Sequence, residues 1–194
     1  NLSEDVYLEQ LYTFGTPDRD PRMRVISVSY IALTSKENIK KTKSGDDAKN
    51  ALWFSIKTKK NEDGSKLITL ENRENNISIC YKAIKNSKNK WVYESLNNDE
   101  LAFDHIKIID MALTRLKNKI FYTNIAFNLL PKKFTLTEIQ NVYEAILEEK
   151  LDKANFRKRI SDLVEEIKDE KEKNVSYRPA KYYKLKGGSL LWQD

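Results

Sequence analysis

The sequence contains one cysteine, Cys80, and one histidine, His105, among its 194 residues. A single cysteine excludes a disulfide framework, so a reducing compartment, here the cytoplasm, is the expected location. Two such residues do not suffice for a zinc site of the usual kind. Cys80 lies in a strand-like run at 77–81, which favours a small, partly buried thiol over a nucleophile. The lone histidine is expected to be a structural residue.

Long apolar runs are also missing. No run approaches the roughly 20 apolar residues that cross a bilayer, so no membrane partner is expected. The first residues lack the basic start and the apolar stretch of a signal peptide. The formal net charge is +6, yet residues 131–194 hold 14 basic and 12 acidic side chains. A nucleic-acid site would therefore depend on local clustering of cations rather than on bulk charge.

The first half of the chain has the pattern of β-strands. Residues 25–33 are apolar and β-branched, which predicts a buried strand, and residues 51–56 predict a short second strand. From 57 to 97 the pattern predicts a β-meander, with Asp63 and Gly64 as a hairpin turn and further turns at 75–76 and 86–89. Its further strands are predicted at 66–70, 77–81 and 90–94.

The apolar spacing then changes to three and four residues, which is typical of helices. Residues 103–120 predict one amphipathic helix, and residues 125–130 predict a short second one. Thr135 and Glu138 form a capping-box pattern in front of the next helix. Asp152 is expected to cap a last helix, whose apolar positions are Phe156, Ile160, Leu163, Val164 and Ile167.

A charged loop at 168–174 and a strand at 176–185 are predicted to follow that last helix. Helix, tight turn, helix and terminal strand form the outline of a winged helix-turn-helix. On a helical wheel, polar and basic side chains lie opposite Phe156 and Ile160, as in a recognition helix that enters the major groove. The candidate DNA contacts are Lys153, Asn155, Arg157, Lys158, Arg159, Arg178 and Lys181, with Lys184 also in the wing.

Acidic residues limit how such a helix can dock. Asp162, Glu165 and Glu166 are placed by the same wheel towards its C-terminal half, where they would repel DNA. The N-terminal half is therefore expected to be the inserted end. A rival interpretation remains open, because a charged helix face opposite an apolar one is often only solvated surface.

Residues 8–33 resemble the strand, loop and strand that follow the catalytic helix of Nudix domains of the ADP-ribose type. In a Nudix hydrolase the metal-binding box G-x5-E-x7-R-E-x2-E-E-x-G stands just upstream of such a run, and this chain does not contain it. The box is expected either to lie upstream or to be lost. No cofactor is therefore expected in this chain, and magnesium only with an upstream box.

The chain as a whole resembles the Nudix-related transcriptional regulators of bacteria. The stretches that carry this resemblance are 8–33, 45–54, 101–109, 122–131, 134–144, 151–159 and 178–185. The resemblance implies an α+β chain. Residues 1–118 would form the latter part of a Nudix-like α/β/α sandwich, and residues 119–194 a winged helix-turn-helix DNA-binding domain.

The same resemblance implies a regulator that binds double-stranded DNA as a homodimer and senses a nucleotide-sugar such as ADP-ribose. It makes Arg19, Arg22 and Arg24 candidate ligand contacts, since a guanidinium binds phosphate bidentately. The alternative for Arg22 and Arg24 is that they are surface charges at a strand edge.

Two other functions remain open from the sequence. The first is a MutT/Nudix-family hydrolase, an ADP-ribose-type pyrophosphatase whose box lies upstream and whose helical tail serves dimerisation. The second is a tail that acts as a protein-interaction module. The residues encoded before Asn1 would distinguish the hydrolase, because an intact set of box glutamates would support it.

Overall fold

A computed structural model describes residues 6–17, 19–36, 52–97, 100–171 and 179–187. The chain divides into two compact units, one of residues 10–31 and 43–114 and the other of residues 1–9, 32–42 and 115–194. The domain boundary that the sequence predicts between residues 118 and 119 stays a prediction. None of the described helices has both the length and the hydropathy needed to cross a membrane.

Strands β1 (Tyr7–Phe14) and β2 (Ser27–Leu33) form a two-stranded sheet. The strand predicted at 25–33 is confirmed, although it begins two residues later, but its predicted burial is wrong, because Val28 and Tyr30 are exposed. Leu11, Phe14 and Ile31 are buried on these strands. Exposed residues alternate with them, among them the apolar side chains of Leu8, Tyr12, Val28 and Tyr30, so the strands are covered on one face.

Four antiparallel strands form the meander: β3 (Ser55–Lys60), β4 (Lys66–Asn72), β5 (Ile77–Lys85) and β6 (Trp91–Ser95). Their order in the sheet follows the chain. The predicted meander and its three strands are confirmed. Its turns are also where the sequence predicts them, and Gly64, Asn76 and Asn89 adopt the positive φ angles of +78°, +53° and +58° that tight turns require.

The short strand predicted at 51–56 is placed wrongly. Residues 52–54 lie outside the sheet, and β3 begins at Ser55. The hairpin turn at 61–65 sets the register, in which Ser55 pairs with Glu71 and Lys60 with Lys66. Because the turn fixes the register, the strand falls on the polar segment Ser55–Lys60. The prediction had instead relied on the apolar residues at 51–56.

Helix α1 (His105–Lys119) confirms the predicted amphipathic helix within two residues at its start and one at its end. Its Ile106 joins a core cluster formed with Ile68, Leu70, Ile79 and Tyr81 of the meander. The same helix also carries a buried polar side chain, Asp110. The buried carboxylate of Asp110 accepts hydrogen bonds from the Nζ of Lys66 and, at 2.7 Å, from the hydroxyl of Tyr93. Burial first, and then this bond, raise the pKa of Tyr93 well above its usual value.

The C-terminal elements are a 3₁₀ helix (Ile125–Leu129), α2 (Leu136–Leu147), α3 (Lys153–Ile160), β7 (Val164–Lys171) and β8 (Lys181–Leu185). The capping box at Thr135 and Glu138 is confirmed, with both reciprocal bonds present. Phe134 exchanges two backbone hydrogen bonds with Tyr183, which forms a single-residue β-bridge beside β8. Buried residues from the 3₁₀ helix, α2, α3 and β7, together with Phe134, fill the core: Ile125, Ala126, Phe127, Phe134, Ile139, Tyr143, Phe156, Ile160 and Val164.

The last helix is shorter than predicted. It ends at Ile160, and Val164 and Ile167 belong to β7. Val164 pairs with Leu185, and the backbone N–H of Lys186 bonds to the carbonyl of Leu163. The run from 163 to 167 contains apolar residues that fit either a helix or a strand, and pairing with β8 decides for the strand.

The predicted loop at 168–174 is wrong for residues 168–171, which continue β7. Its remaining residues lie outside the part of the chain that the structure describes. The strand predicted at 176–185 is confirmed as β8 over Lys181–Leu185 only. Together these elements have the order of a winged helix-turn-helix: helical turn, β-bridge, helix, helix and a two-stranded wing.

Candidate functional site

Helix α3 presents its polar side to solvent. Asp152 caps the helix by accepting a hydrogen bond from the backbone N–H of Asn155, 2.9 Å away. Phe156 and Ile160 are buried one turn apart and anchor the helix. The predicted DNA-contact residues of the helix are all exposed: Lys153, Asn155, Arg157, Lys158 and Arg159. The structure thus brings these five predicted residues to one surface, which we call the α3 surface.

The orientation of α3 is fixed by packing against α2. The rings of Tyr143 and Phe156 meet edge to face, with centroids 5.2 Å apart. The Glu144 carboxylate accepts hydrogen bonds from Gln140, Lys150 and the backbone N–H of Leu151. Because the turn between the helices is held at both ends, the α3 surface is preorganised.

The cations of the α3 surface are largely unpaired. Within the described part of the chain, no carboxylate lies in ion-pair distance of Lys153, Arg157 or Lys158. Arg159 differs, since its Nη2 donates to the carbonyl oxygen of Phe121 at 3.1 Å and its guanidinium lies 5.8 Å from the centroid of the Phe121 ring. Three free cations on an exposed helix match the phosphates of a nucleic-acid backbone.

The wing has a different charge arrangement. Lys181 pairs with Glu166 at 2.9 Å, and Lys184 pairs with Glu165 at 2.8 Å, across β7 and β8. The placement of Glu165 and Glu166 on the recognition helix was therefore wrong, because both lie on β7 and neutralise wing lysines. Arg178, the other predicted wing contact, lies outside the described residues.

The three candidate ligand arginines lie in the other unit, with different partners. Arg19 is buried, with a side chain 7% exposed, and donates two hydrogen bonds to the Asp104 carboxylate at 2.8 and 3.0 Å. Its remaining Nη1 donates to Ser27 Oγ at 2.6 Å. The Arg19 side chain also holds the pKa of Asp104 below its usual value. In this geometry all three nitrogens of the guanidinium are engaged.

Arg22 is exposed but positioned. It donates to both carboxylate oxygens of Asp20, and this bond holds the pKa of Asp20 down to about 2. Its guanidinium lies 4.8 Å from the centroid of the Phe103 ring. Arg24 makes a long contact of 3.4 Å to the carbonyl of Gly15. Arg22 and Arg24 therefore keep donors available at the surface.

A cleft of about 580 Å³ lies beside Arg19. Loop residues, strands β5 and β6 and the start of α1 line it, and its aromatic members are Tyr81, Trp91, Tyr93 and Phe103. Phe103 has a φ of +48°, which is uncommon for a bulky side chain and often accompanies a functional site. The predictions missed Phe103, Asp104 and Trp91, and only a map of spatial neighbours could have found them. Among the described residues, no group of three or more His, Cys, Asp or Glu side chains is placed to hold a metal ion.

Comparison with known proteins gives consistent matches. Residues 126–185 match the family described as the NrtR DNA-binding winged helix domain. The chain is 33% identical over 183 residues to the "ADPR responsive transcriptional repressor NtrR" of Acinetobacter baylyi, which covers 92% of this chain and 56% of that protein.

Solved structures of the same kinds of protein are also similar to this chain. The crystal structure of a MutT/nudix family protein from Enterococcus faecalis has a TM-score of 0.66 and 32% identity, covering 92% of this chain and 60% of the other. Shewanella oneidensis NrtR in complex with a 27mer DNA has a TM-score of 0.57 and 25% identity, covering 93% and 64%. The chain thus spans somewhat more than half the length of these relatives. It has the α+β arrangement of a Nudix-like segment followed by a winged helix, and over that length it is similar to Nudix-related transcriptional regulators.

Proposed function

We propose that this chain belongs to a transcriptional regulator whose winged helix binds duplex DNA through the α3 surface. The observation that carries the proposal is the set of exposed side chains on α3: Lys153, Asn155, Arg157, Lys158 and Arg159. The Asn155 amide has both a donor and an acceptor for base edges, the Lys158 ammonium has donors for them, and the arginines suit phosphates. The relative from Shewanella oneidensis was crystallised with DNA, which supports the same role here.

The wing contributes less to this proposal. Lys181 and Lys184 already pair with carboxylates, but exposed pairs of this kind are worth little. Both lysines can therefore exchange a carboxylate for a phosphate when DNA is bound, as the sequence predicts for Lys181. Arg178 remains a candidate phosphate contact of the wing.

The effector in this proposal is a nucleotide-sugar of the ADP-ribose type. The named relative from Acinetobacter baylyi is described as ADPR responsive, which supports this class of ligand. Arg22 and Arg24 have free donors for its phosphates, whereas Arg19 acts by supporting the loop through Asp104. We further propose that the protein works as a homodimer in the cytoplasm.

Selection of binding sites tests the DNA part directly. The chain is incubated with a pool of randomised duplexes, and bound DNA is recovered and sequenced. Enrichment of a two-fold symmetric motif is expected, because a dimer presents two recognition helices to two half-sites. An unenriched pool would refute sequence-specific binding, and a motif without symmetry would refute the dimer.

The effector is tested by titrating ADP-ribose against the protein bound to its selected duplex. We expect ADP-ribose to change the affinity of the protein for this duplex under conditions in which the ligand stays chemically intact. If the complex is indifferent to the ligand, the effector assignment fails. Formation of AMP and ribose phosphate by the full-length protein with magnesium would instead support the pyrophosphatase alternative.

A further inference from the structure

The meander is the most basic part of the described sheet structure. Residues 55–95 contain nine lysine or arginine residues and five aspartate or glutamate residues. Because neighbouring strands are antiparallel, the turns at 61–65 and 86–90 lie at the same end of the sheet. Five lysines lie at that end, which we call the lysine end: Lys59, Lys60, Lys85, Lys88 and Lys90.

The lysine end is not neutralised by the protein. All five side chains are exposed, and none has a carboxylate partner in the portion of the chain that the structure covers. Two further lysines close by differ in this respect, since Lys66 pairs with Asp110 and Lys82 with Asp63. Asp110 and Asp63 thus balance Lys66 and Lys82, Glu62 is the remaining carboxylate of the turn at 61–65, and the outer five cations face solvent.

The sheet register places a further lysine beside these five. Lys60 stands directly opposite Lys66 across β3 and β4, and Asp110 balances the charge of Lys66. On the neighbouring hairpin, Lys85 stands opposite Trp91, and its Nζ lies 5.3 Å from the Trp91 ring centroid. This contact holds one cation at the surface. A bound polyanion would supply the counter-charge that the five exposed lysines lack.

We propose that the lysine end is a second phosphate-binding surface, which binds the backbone of duplex DNA. This inference rests on the proposed DNA-binding function. Four strands spaced by about 4.8 Å make the end roughly 14 Å wide. Duplex DNA carries one negative charge per about 1.7 Å of its axis, so an edge of this width meets several phosphates. Such contacts raise affinity without adding sequence information.

The test is the salt dependence of binding to a mixed-sequence duplex by the whole chain. The variant Lys59→Ala/Lys60→Ala/Lys85→Ala/Lys88→Ala removes four exposed cations from two turns. Each lost phosphate contact lowers the slope of log K against log salt by about 0.9. We expect the slope to fall by about 2 to 4 and the affinity at low salt to fall by about 10- to 100-fold.

Two controls separate the possible failures. Arg73→Ala removes an exposed cation from the turn at the opposite end of the sheet and should leave the slope unchanged. Lys158→Ala should weaken binding whether or not the lysine end takes part. An unchanged slope in the quadruple variant, together with weaker binding by Lys158→Ala, would overturn the lysine-end inference and leave the proposed function intact.

Other outcomes are equally decisive. If the unaltered chain does not bind duplex DNA at low salt, the proposed function fails and this inference fails with it. If the quadruple variant loses affinity for single-stranded RNA or for anionic lipid vesicles but not for duplex DNA, duplex DNA is not the partner of the lysine end. Equal melting temperatures of the variant and the unaltered chain show that any loss comes from charge and not from unfolding.

Discussion

The carboxylate of Glu144 in α2 accepts a hydrogen bond from the backbone N–H of Leu151, 3.1 Å away, and this bond fixes the turn that positions α3. The same carboxylate accepts bonds from Lys150 at 2.6 Å and from Gln140 at 3.0 Å. The bond from Lys150, then those from Gln140 and Leu151, hold the pKa of Glu144 down to about 2. The Glu144 side chain thus holds the turn between α2 and α3, and this turn positions the α3 surface.

Glu144→Gln is expected to lower the stability of the winged helix and to weaken DNA binding, because the turn loses its charged acceptor. The pKa of Glu144 lies below its usual value of 4.5. Its contribution is therefore fully present above about pH 4.5 and is lost as the pH falls towards about 2. Urea unfolding at a series of pH values checks this. The difference between the two proteins should shrink towards low pH, and a difference that is constant with pH would contradict it.

Lys158→Ala is expected to weaken binding to a selected duplex more than binding to a shuffled one. The reason is that Lys158 is exposed on α3 and has no protein partner in the described structure, so it is free to contact a base edge. A loss of about 1 to 3 kcal/mol of specificity is the usual size of one base contact. Lys184→Ala, which removes a lysine paired with Glu165, is the matched control. Equal losses on both duplexes would mean that Lys158 touches only phosphate.

Asp104→Ala is expected to lower the free energy of unfolding of the compact unit that consists of residues 10–31 and 43–114. The Asp104 and Arg19 side chains are only 10% and 7% exposed, so removing the carboxylate leaves a buried guanidinium without its partner. Breaking such a pair costs about 3 kcal/mol or more. Lys57→Ala breaks the exposed pair with Glu71 and should change the free energy of unfolding by at most about 0.5 kcal/mol. Equal effects of the two substitutions in chemical unfolding would contradict the structural role of the buried pair.

Arg22→Ala is expected to blunt the response to ADP-ribose while leaving DNA affinity without ligand unchanged. Arg22 is held by Asp20 and by the face of Phe103, yet its side chain is 71% exposed. It is therefore placed to meet a phosphate without a large ordering cost. The ligand-induced shift in fluorescence anisotropy measures the response. A shift of the same size in the variant would remove Arg22 from the ligand site.

Much of the fold could be predicted from the sequence because the local signals agree with tertiary packing. The meander was predictable from its turns, since Gly64, Asn76 and Asn89 adopt the backbone angles those residues favour. The capping box at Thr135 marked the start of α2 to the residue. The Asp152 cap did the same for α3.

The errors came where pairing between distant residues overrides local pattern. Val164 and Ile167 fit a helical spacing, but β8 pairs with this segment and makes it a strand. Consequently the acidic residues assigned to the recognition helix belong to the wing. The spacing of residues within one helix cannot reveal that Glu165 faces Lys184, because the partner lies about 20 residues away in the chain.

The two candidate sites also differ in how far they could be predicted from the sequence. The α3 surface was predictable, because helical periodicity alone separates Phe156 and Ile160 from the exposed residues between them. The engagement of Arg19 with Asp104 was not, because 85 residues separate them in the chain. The three arginines of one short run were equivalent in the sequence, whereas in the structure one is buried and two keep free donors.

The central claim is selective DNA recognition through α3, and one measurement tests it most directly. Fluorescence anisotropy compares the affinity of the protein for the duplex upstream of its own gene cluster with its affinity for a shuffled duplex, at low and at physiological salt. We predict a preference of about 1,000-fold or more that persists at the higher salt. Equal affinity for both duplexes at both salt concentrations would contradict the account.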